Sequence, residues 1–544
     1  MSKLRDFVNH SSEILVNSFW QLMAVYAVIV VLIAFGVFGK YALQFHIFAI
    51  FLGIVGGVLL GYSDGAGSEG RIGVSKRIGY WILIGVLVFV FVLRVVPYLN
   101  NDVPLGYDAG IYRYGISVGL ENLDRWILSG GMEPGFLYLM FPLVKMFGVD
   151  ILLKWGFILA CVLLGLAVWV FVRESFGNEE AIIALVFYAV SVVQYFVFEL
   201  MYYKNVVGLC VMLFALLFLT KYERETGGGG IRHLVGFVLL AGVLAGIHRP
   251  TFYIFGLSYF VYAFASPWKN KNYDFGRMKA NVVAGAFIVL IGAMFYVGEF
   301  RDAVIGILPW VVQGFVSPGE SPGTFISFFS YQFAILACLP FAILGLVYCL
   351  RKREFNFVVI WALINLAIVY FQFFFFNRFI IHLDIAMIIL ASLGVSLMIR
   401  EKRKAALILA VVMIAASGVM IVNETRNVGP LLSAERLDAM KVIGNYVEEN
   451  ASVIVISSQY SPWVMGYSGL GGDKIIAPGL FDGNKWSESE WNEFWSNDDQ
   501  EKVRELMSEY SGEIYLYAGN KNFQNGCFSL VYEINGEKLY KYGC

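Results

Sequence analysis

In "NNDVPLGYDAGIYRYG" (100–115) two carboxylates, Asp102 and Asp108, stand among aromatics between long apolar runs. A carboxylate at a membrane–water boundary can take a proton from a hydroxyl as a general base, or it can hold a divalent cation. Two further clusters are basic: "GIHRPTF" brings His248, Arg249 and Thr251, and "FFNRFIIHLD" brings Arg378, His382 and Asp384. Arginine meets phosphate oxygens with a planar fork of donors, so both clusters suit an anionic ligand. Each feature also has a plainer reading. Asp108 precedes Tyr112, Ile116, Leu120 and Leu123 at helical spacing, which fits an N-cap. Asp102 fits a turn before Pro104. Arginines at span ends can snorkel to headgroups. His382 can pair with Asp384 inside a bundle, and Glu199 with Lys204 in "FELMYYKN".

The elements that must position these groups are membrane spans. The chain has 544 residues, 59% hydrophobic and 15% charged, with net charge −1. A soluble chain of this length carries more charge, and nothing in the balance suits nucleic acid. Apolar runs of about 20 residues match a hydrocarbon core of roughly 30 Å. Thirteen candidate spans cover 19–38, 43–62, 79–97, 151–172, 181–198, 204–220, 233–247, 252–266, 281–298, 331–350, 357–376, 379–399 and 405–423. No removable signal peptide is expected at the N-terminus. Basic clusters such as Arg351-Lys352-Arg353 and Arg400 to Lys404 alternate with loops holding single cations, among them Lys40, Lys204, Arg249, Arg301 and Arg378. The positive-inside rule then puts the N-terminus in the cytoplasm and the sparse loops outside. The alternation requires "EPGFLYLMFPLVKMFG" (133–148) to lie on the outer face without crossing, because it is short and carries Pro134, Pro142 and Lys145. Both aspartates fall in the resulting outer loop, 98–150. The outer loop 298–328 reads as an amphipathic half followed by "SPGESPG", a hinge that would serve either a lid or an ordinary loop.

Residues 425–544 change character and read as an extracytoplasmic α/β domain. With ten Lys/Arg and seventeen Asp/Glu, this tail does not suit a polyanion. "SAERLDAMKVIGNYVEE", "SESEWNEFW" and "QEKVRELMSEY" read as helices, and "SVIVISS" and "EIYLYAG" as strands. In "SSQYSPW" Tyr460 and Trp463 could stack on a sugar or fill the core. In "CFSLVYEINGEKLYKYGC" the Asn535-Gly536 pair predicts a type I′ hairpin turn. Pairing outward sets Glu533 against Lys538, Val531 against Tyr540 and Cys527 against Cys544, which predicts a cross-strand disulfide. Such a bond fits an oxidising compartment, the side that the charge rule assigns to the tail. Cys161, Cys210, Cys338 and Cys349 lie in spans and read as packing residues.

A span, an outer loop with an acid and an aromatic, the segment "PGFLYLMFPLVKMFGV" and another span together resemble the glycosyltransferase C superfamily. More narrowly, they are similar to the dolichyl-phosphate-mannose protein mannosyltransferases and bacterial lipid A sugar transferases. There the first outer loop reads Asp-Glu-x-x-Tyr, and a Pro-Pro-Leu-Tyr-Tyr-like segment ending in Phe-Gly follows. Here "YDAGIY" supplies Asp108 and Tyr112, but Ala109 replaces the second acid and Glu133 the first proline. The resemblance spans residues 79–424, with 1–78 adding two spans and 425–544 a tail domain.

It implies a polytopic α-helical enzyme that moves a sugar from a polyprenyl-phosphate carrier to a glycan, lipid or protein acceptor on the outer face. Asp108 would be the base, with Asp102 as second acid. Arg378, Arg249, His248 and His382 would hold the carrier phosphate, and Tyr107 and Tyr112 would touch sugar or acceptor. The resemblance fixes no cofactor and leaves a divalent cation open, which if used would rest on Asp102 and Asp108. The rival class is a transporter or flippase of lipid-linked glycans, which favours charges lining a central cavity and repeated halves. A glycan polymerase would rely on arginine-bearing loops, and a membrane anchor for the tail would leave the loop acids unexplained.

Overall fold

The computed structural model describes residues 2–37, 41–63, 75–119, 132–225, 230–269, 272–298, 325–353, 356–455, 459–478, 484–496 and 500–544. Most of loop 298–328, with Arg301 and the "SPGESPG" hinge, lies outside the described residues, as do Ser457 and Ser458. The membrane part comprises α1 (Ser2–Ala34), α2 (Ala42–Ser63), α3 (Lys76–Val95), α4 (Ala109–Val118), α5 (Pro134–Phe147), α6 (Val149–Ser175), α7 (Asn178–Ala189) and α8 (Val192–Glu199). It continues with α9 (Tyr203–Arg224), α10 (Gly230–Ile247), α11 (Arg249–Ala265), α12 (Phe275–Met294), α13 (Phe328–Ala334), α14 (Leu339–Arg351), α15 (Phe357–Tyr370) and α16 (Phe376–Asn427).

Among the described residues eight helices are long and apolar enough to cross a bilayer, or ten if each of two bent pairs is one span. The chain is a multi-pass membrane protein, but thirteen regular spans are not what it builds. Two expected runs are broken helices. The run 181–198 bends by 50° between α7 and α8. Ser191 caps α8 by accepting from the Gln194 amide at 3.2 Å, and its hydroxyl donates to Asp384 at 2.8 Å. The Gln194 side chain also donates to Asp384 at 2.8 Å, and the Gln194 carbonyl accepts from Arg94 of α3 at 3.3 Å. Backbone groups released at a break within the bilayer must find such partners. The run 331–350 bends by 86° between α13 and α14, where Pro340, in the first turn of α14, has no N–H with which to continue the ladder of α13. Conversely, 379–399 and 405–423 are the limbs of one 52-residue element, α16, interrupted at Lys402 by non-helical angles (φ −136°, ψ 77°). Segment 133–148 is the 14-residue α5, too short to cross. The four membrane cysteines are buried and form no disulfide, consistent with packing.

The tail folds as expected in class. Helices α17 (Ala434–Lys441), α18 (Ser461–Tyr467), α19 (Glu488–Ser496) and α20 (Gln500–Met507) surround a five-stranded sheet. Its strands are β1 (Ser452–Val455), β2 (Ile475–Ile476), β3 (Ile514–Gly519), β4 (Phe528–Ile534) and β5 (Glu537–Tyr542), in the order β2-β1-β3-β5-β4. Strand β1 runs parallel to β2 and β3, and β5 antiparallel to β3 and β4. Side chains alternate between two cores. Ile454, Leu516 and Ala518 pack with Trp486, Trp491 and Phe494, whereas Val453, Val455, Tyr515 and Tyr517 join the core that continues into the helical bundle. The disulfide Cys527–Cys544 is present, with Cα atoms 5.0 Å apart. Its register is not the expected one. A bulge at Val531 moves Tyr540 opposite Leu530, so beyond it the count shifts by one residue. The Cys527 carbonyl then accepts from Gly543, and Cys544 reaches Cys527 diagonally.

The tail docks on α4 through α18. A Cβ on Gly110 would lie 1.9 Å from the Pro462 carbonyl oxygen, and one on Gly466 would lie 2.3 Å from the Gly110 oxygen. Arg113, one turn along α4, donates to the Gly466 carbonyl at 2.5 Å, stacks on Tyr467 at 4.3 Å and pairs with Asp150 at 3.0 Å. The Tyr114 hydroxyl accepts from the Gly472 amide at 3.0 Å. Gly110→Ala should therefore part the two domains, at a cost of about 1–3 kcal/mol. Denaturant unfolding and faster proteolytic release of the tail would both register it; an unchanged midpoint and cleavage rate would refute this account of the interface.

Candidate active site

Asp108 is placed by a tightly folded loop. The Asn101 side chain bonds both the amide and the carbonyl of Val103, at 2.9 and 3.1 Å, and the Tyr98 hydroxyl accepts from the Leu105 amide at 3.3 Å. Gly106 has φ +76°, and a Cβ there would meet the Leu200 backbone at 2.7 Å, so glycine alone lets the loop press on the turn before α9. Asp108 then stands at the N-cap of α4, but its side chain makes no capping bond. Burial raises its pKa above the ordinary carboxylate value, while the charges of Arg378 and then Lys204 draw it back. Among the described residues it forms no ion pair with either cation within 4.0 Å.

Each cation is held at the start of a helix. Lys204 opens α9 after Met201, whose φ of 55° is left-handed for a non-glycine residue. Its ammonium meets Glu133 at 2.6 Å, with Lys204 6% and Glu133 2% exposed. Its amide donates to the hydroxyl of Tyr112 at 3.4 Å, and Tyr112 follows Asp108 by one turn of α4. Glu133 is the extended residue before Pro134 at the start of α5. Its other oxygen accepts from the Arg249 amide at 3.2 Å, with the Arg249 guanidinium at 3.8 Å. Arg378 lies in the first turn of α16, directly after Gln372, Phe374 and Phe375 at φ values of 54°, 26° and 45°. Strain of this kind costs about 1–3 kcal/mol per residue and concentrates at functional sites. The Arg378 guanidinium sits 5.0 Å from the centre of the Phe325 ring, with no carboxylate within 4.0 Å among the described residues. Lys204, Arg249 and Arg378 thus share two carboxylates, Glu133 and Asp108. Among the described residues Glu133 takes up Lys204 and Arg249, whereas Arg378 meets no carboxylate within 4.0 Å.

Other expected residues are placed differently. Asp102 is fully exposed and pairs with Lys154 at 2.7 Å, which holds its carboxyl below the ordinary range, so it does not join Asp108. Asp102 and Asp108, the pair expected to hold a divalent cation, are therefore not brought together, and among the described residues no three His, Cys, Asp or Glu gather to hold a metal. Tyr107 is partly exposed beside Asp108. Tyr112 is buried against Phe136 and Tyr203, so it packs and braces Lys204 instead of presenting a face to a sugar. His248 and His382 flank the Thr251 hydroxyl at 2.7 and 3.0 Å. His382 and Asp384 do not pair; Asp384 bonds Ser191 and Gln194. Lys204 chooses Glu133 over Glu199 because the turn at Met201 separates them. Trp463 is fully buried and stacks on Tyr467, which assigns it to the core, and the Tyr460 hydroxyl accepts from Arg436 at 3.0 Å. Sequence reasoning missed Glu133 and Lys204 as partners. The available signal was that each is a lone charge beside an apolar helix.

Residues 134–296 match the family model of Dolichyl-phosphate-mannose-protein mannosyltransferase. No curated protein sequence matches the chain. Among solved structures, the fold is similar to the oligosaccharyltransferase of Archaeoglobus fulgidus in its apo form, with TM-score 0.64 and 14% identity over 82% of this chain and 70% of that one. The same archaeal enzyme, AglB, in complex with an inhibitory peptide and a dolichol-phosphate gives 0.59 and 14% over 81% and 70%. ArnT from Cupriavidus metallidurans bound to undecaprenyl phosphate gives 0.55 and 12% over 86% and 98%. At these identities the likeness is one of fold, and the resemblance seen in the sequence holds at that level. The family match begins at Pro134, so Asp108 lies outside it.

Glu133 is the anion between two buried cations. Glu133→Gln should destabilise the protein by about 3–5 kcal/mol, because the buried Lys204 ammonium loses its carboxylate partner. Denaturant unfolding in detergent tests this; a loss below 1 kcal/mol would show that the triad does not hold these helices together.

Proposed function

We propose that the chain is a glycosyltransferase that moves a hexosyl or pentosyl unit from a polyprenyl-phosphate carrier to an acceptor hydroxyl on the outer face of the membrane. The observation that carries this reading is the half-buried Asp108 carboxylate, which among the described residues makes no capping bond or ion pair and feels the charges of Arg378 and Lys204. The archaeal and Cupriavidus structures, named with dolichol-phosphate and undecaprenyl phosphate, support the choice of ligand.

In the proposed reaction the acceptor oxygen attacks the anomeric carbon and its proton passes to Asp108. The bond from that carbon to the phosphate oxygen breaks, its electron pair leaves with the polyprenyl phosphate, and configuration inverts. Arg378, with Arg249 beside it, stabilises the leaving phosphate. The tail supports the assignment of side: α18 packs on the helix that bears Asp108, and the tail carries a disulfide. Site and tail therefore share one end of the bundle, outside, with the N-terminus in the cytoplasm.

Asp108→Asn should lower single-turnover sugar transfer by about 10²–10⁴-fold with little change in carrier binding. Full activity in that variant would remove Asp108 from the base role. Carrier-linked sugar crossing the bilayer without transfer would favour the flippase reading. The pH profile gives an independent check. The base must be ionised, and burial raises its pKa, so kcat/KM should fall with decreasing pH at an inflection above the ordinary value near 4. Arg378→Gln removes the larger opposing charge and should move that inflection higher still; a shift downward would contradict the assigned geometry.

A further inference from the structure

His248 is fully buried, and its Nδ1 accepts from the Thr251 amide at 3.3 Å as the N-cap of α11. The Thr251 hydroxyl lies 2.7 Å from the same Nδ1 and 3.0 Å from Nε2 of His382. A hydroxyl has one proton. If it goes to the unprotonated Nδ1 of His248, Nε2 of His382 must be the donor to Thr251. The cap and the relay thus fix one tautomer of His248: Nδ1 bare, Nε2 protonated. That Nε2–H has no acceptor among the described residues, although buried donors are almost always satisfied. It lies on the ring edge away from the cap, and the charges of Lys204, Arg378 and Arg249 all reach the imidazole. A buried N–H without a protein acceptor is open to an acceptor oxygen from a ligand.

We propose that His248 is a neutral, pre-oriented donor to a phosphate oxygen of the polyprenyl carrier, and that His382 does not touch the ligand but positions His248 through Thr251. This rests on the proposed function and adds the donor, its tautomer and the residue that sets it.

The test uses the full chain in nanodiscs with undecaprenyl phosphate as probe and inorganic phosphate as competitor. His248→Asn keeps a side-chain cap for Thr251 but removes the Nε2 donor. It should bind undecaprenyl phosphate about 10–100-fold more weakly, with an unfolding midpoint close to wild type. His248→Gln returns an N–H near the Nε2 position and should recover part of the loss. Nitrogen-15 spectra of labelled histidine should show the Nε2–H tautomer before ligand is added. Competition by inorganic phosphate would show that the seat reads phosphate alone, and failure to compete that it requires the lipid; either supports the donor role. Unchanged binding in His248→Asn, or an Nδ1–H tautomer, overturns the inference alone. A wild-type protein that binds no undecaprenyl phosphate overturns the proposed function and this inference together.

Discussion

The bundle around the site depends on one buried carboxylate. Glu133 takes the Lys204 ammonium on one oxygen and the Arg249 amide and guanidinium on the other. The three residues come from the starts of α5, α9 and α11, so the ion network fixes three helix ends at once. Two cations buried a few ångströms apart would otherwise repel strongly where the local dielectric is low. Removing charge from water is costly, and such networks persist where geometry matters more than stability. The geometry fixed here is that of the polar floor beneath Asp108.

All the charged groups of the site share a topological position. Asp108 and Glu133 are N-cap residues of α4 and α5, Lys204 and Arg249 lie in the first turns of α9 and α11, and Arg378 in that of α16. Helix N-termini carry partial positive charge, so five of them turned toward one region favour an anion there. Cations at helix N-termini are intrinsically unfavourable, and carboxylates at the same ends offset that conflict. Left-handed residues at 201, 372, 374 and 375 supply the abrupt starts of α9 and α16.

The sequence made legible what depends on local pattern. Apolar runs marked the membrane part, the shift in composition marked the tail, and Asn535-Gly536 marked the hairpin with its disulfide. The Val531 bulge was not legible, because one extra residue in a strand leaves the spacing of turn and cysteines intact. Helix breaks escaped for a related reason: hydropathy responds to side chains, whereas a bend at Ser191 or Leu339 is decided by caps and partners on distant helices. Asp108 and Arg378 could be chosen because a charge among apolar neighbours is conspicuous. Pairing could not. Lys204 has Glu199 close in sequence and Glu133 far away, and the left-handed turn at Met201 reverses which is nearer in space. Asp102 shows the opposite failure, since six residues of tight loop carry it out to Lys154.

The contact between α4 and α18 makes the tail part of the site's frame. Gly110 and Gly466 let two backbones touch, which no other residue pair permits at that separation. Arg113 then ties α4 both to the tail, through Gly466 and Tyr467, and to Asp150 at the start of α6. Asp108 begins that same ten-residue helix. A short helix has few internal contacts with which to hold its own orientation, so its neighbours on either side must hold it. The inner face of the tail sheet, through Tyr515 and Tyr517, belongs to the core shared with the bundle. The tail is thus an abutment for the helix that begins at Asp108. A domain that only decorated the membrane part would not need its second hydrophobic face turned toward it.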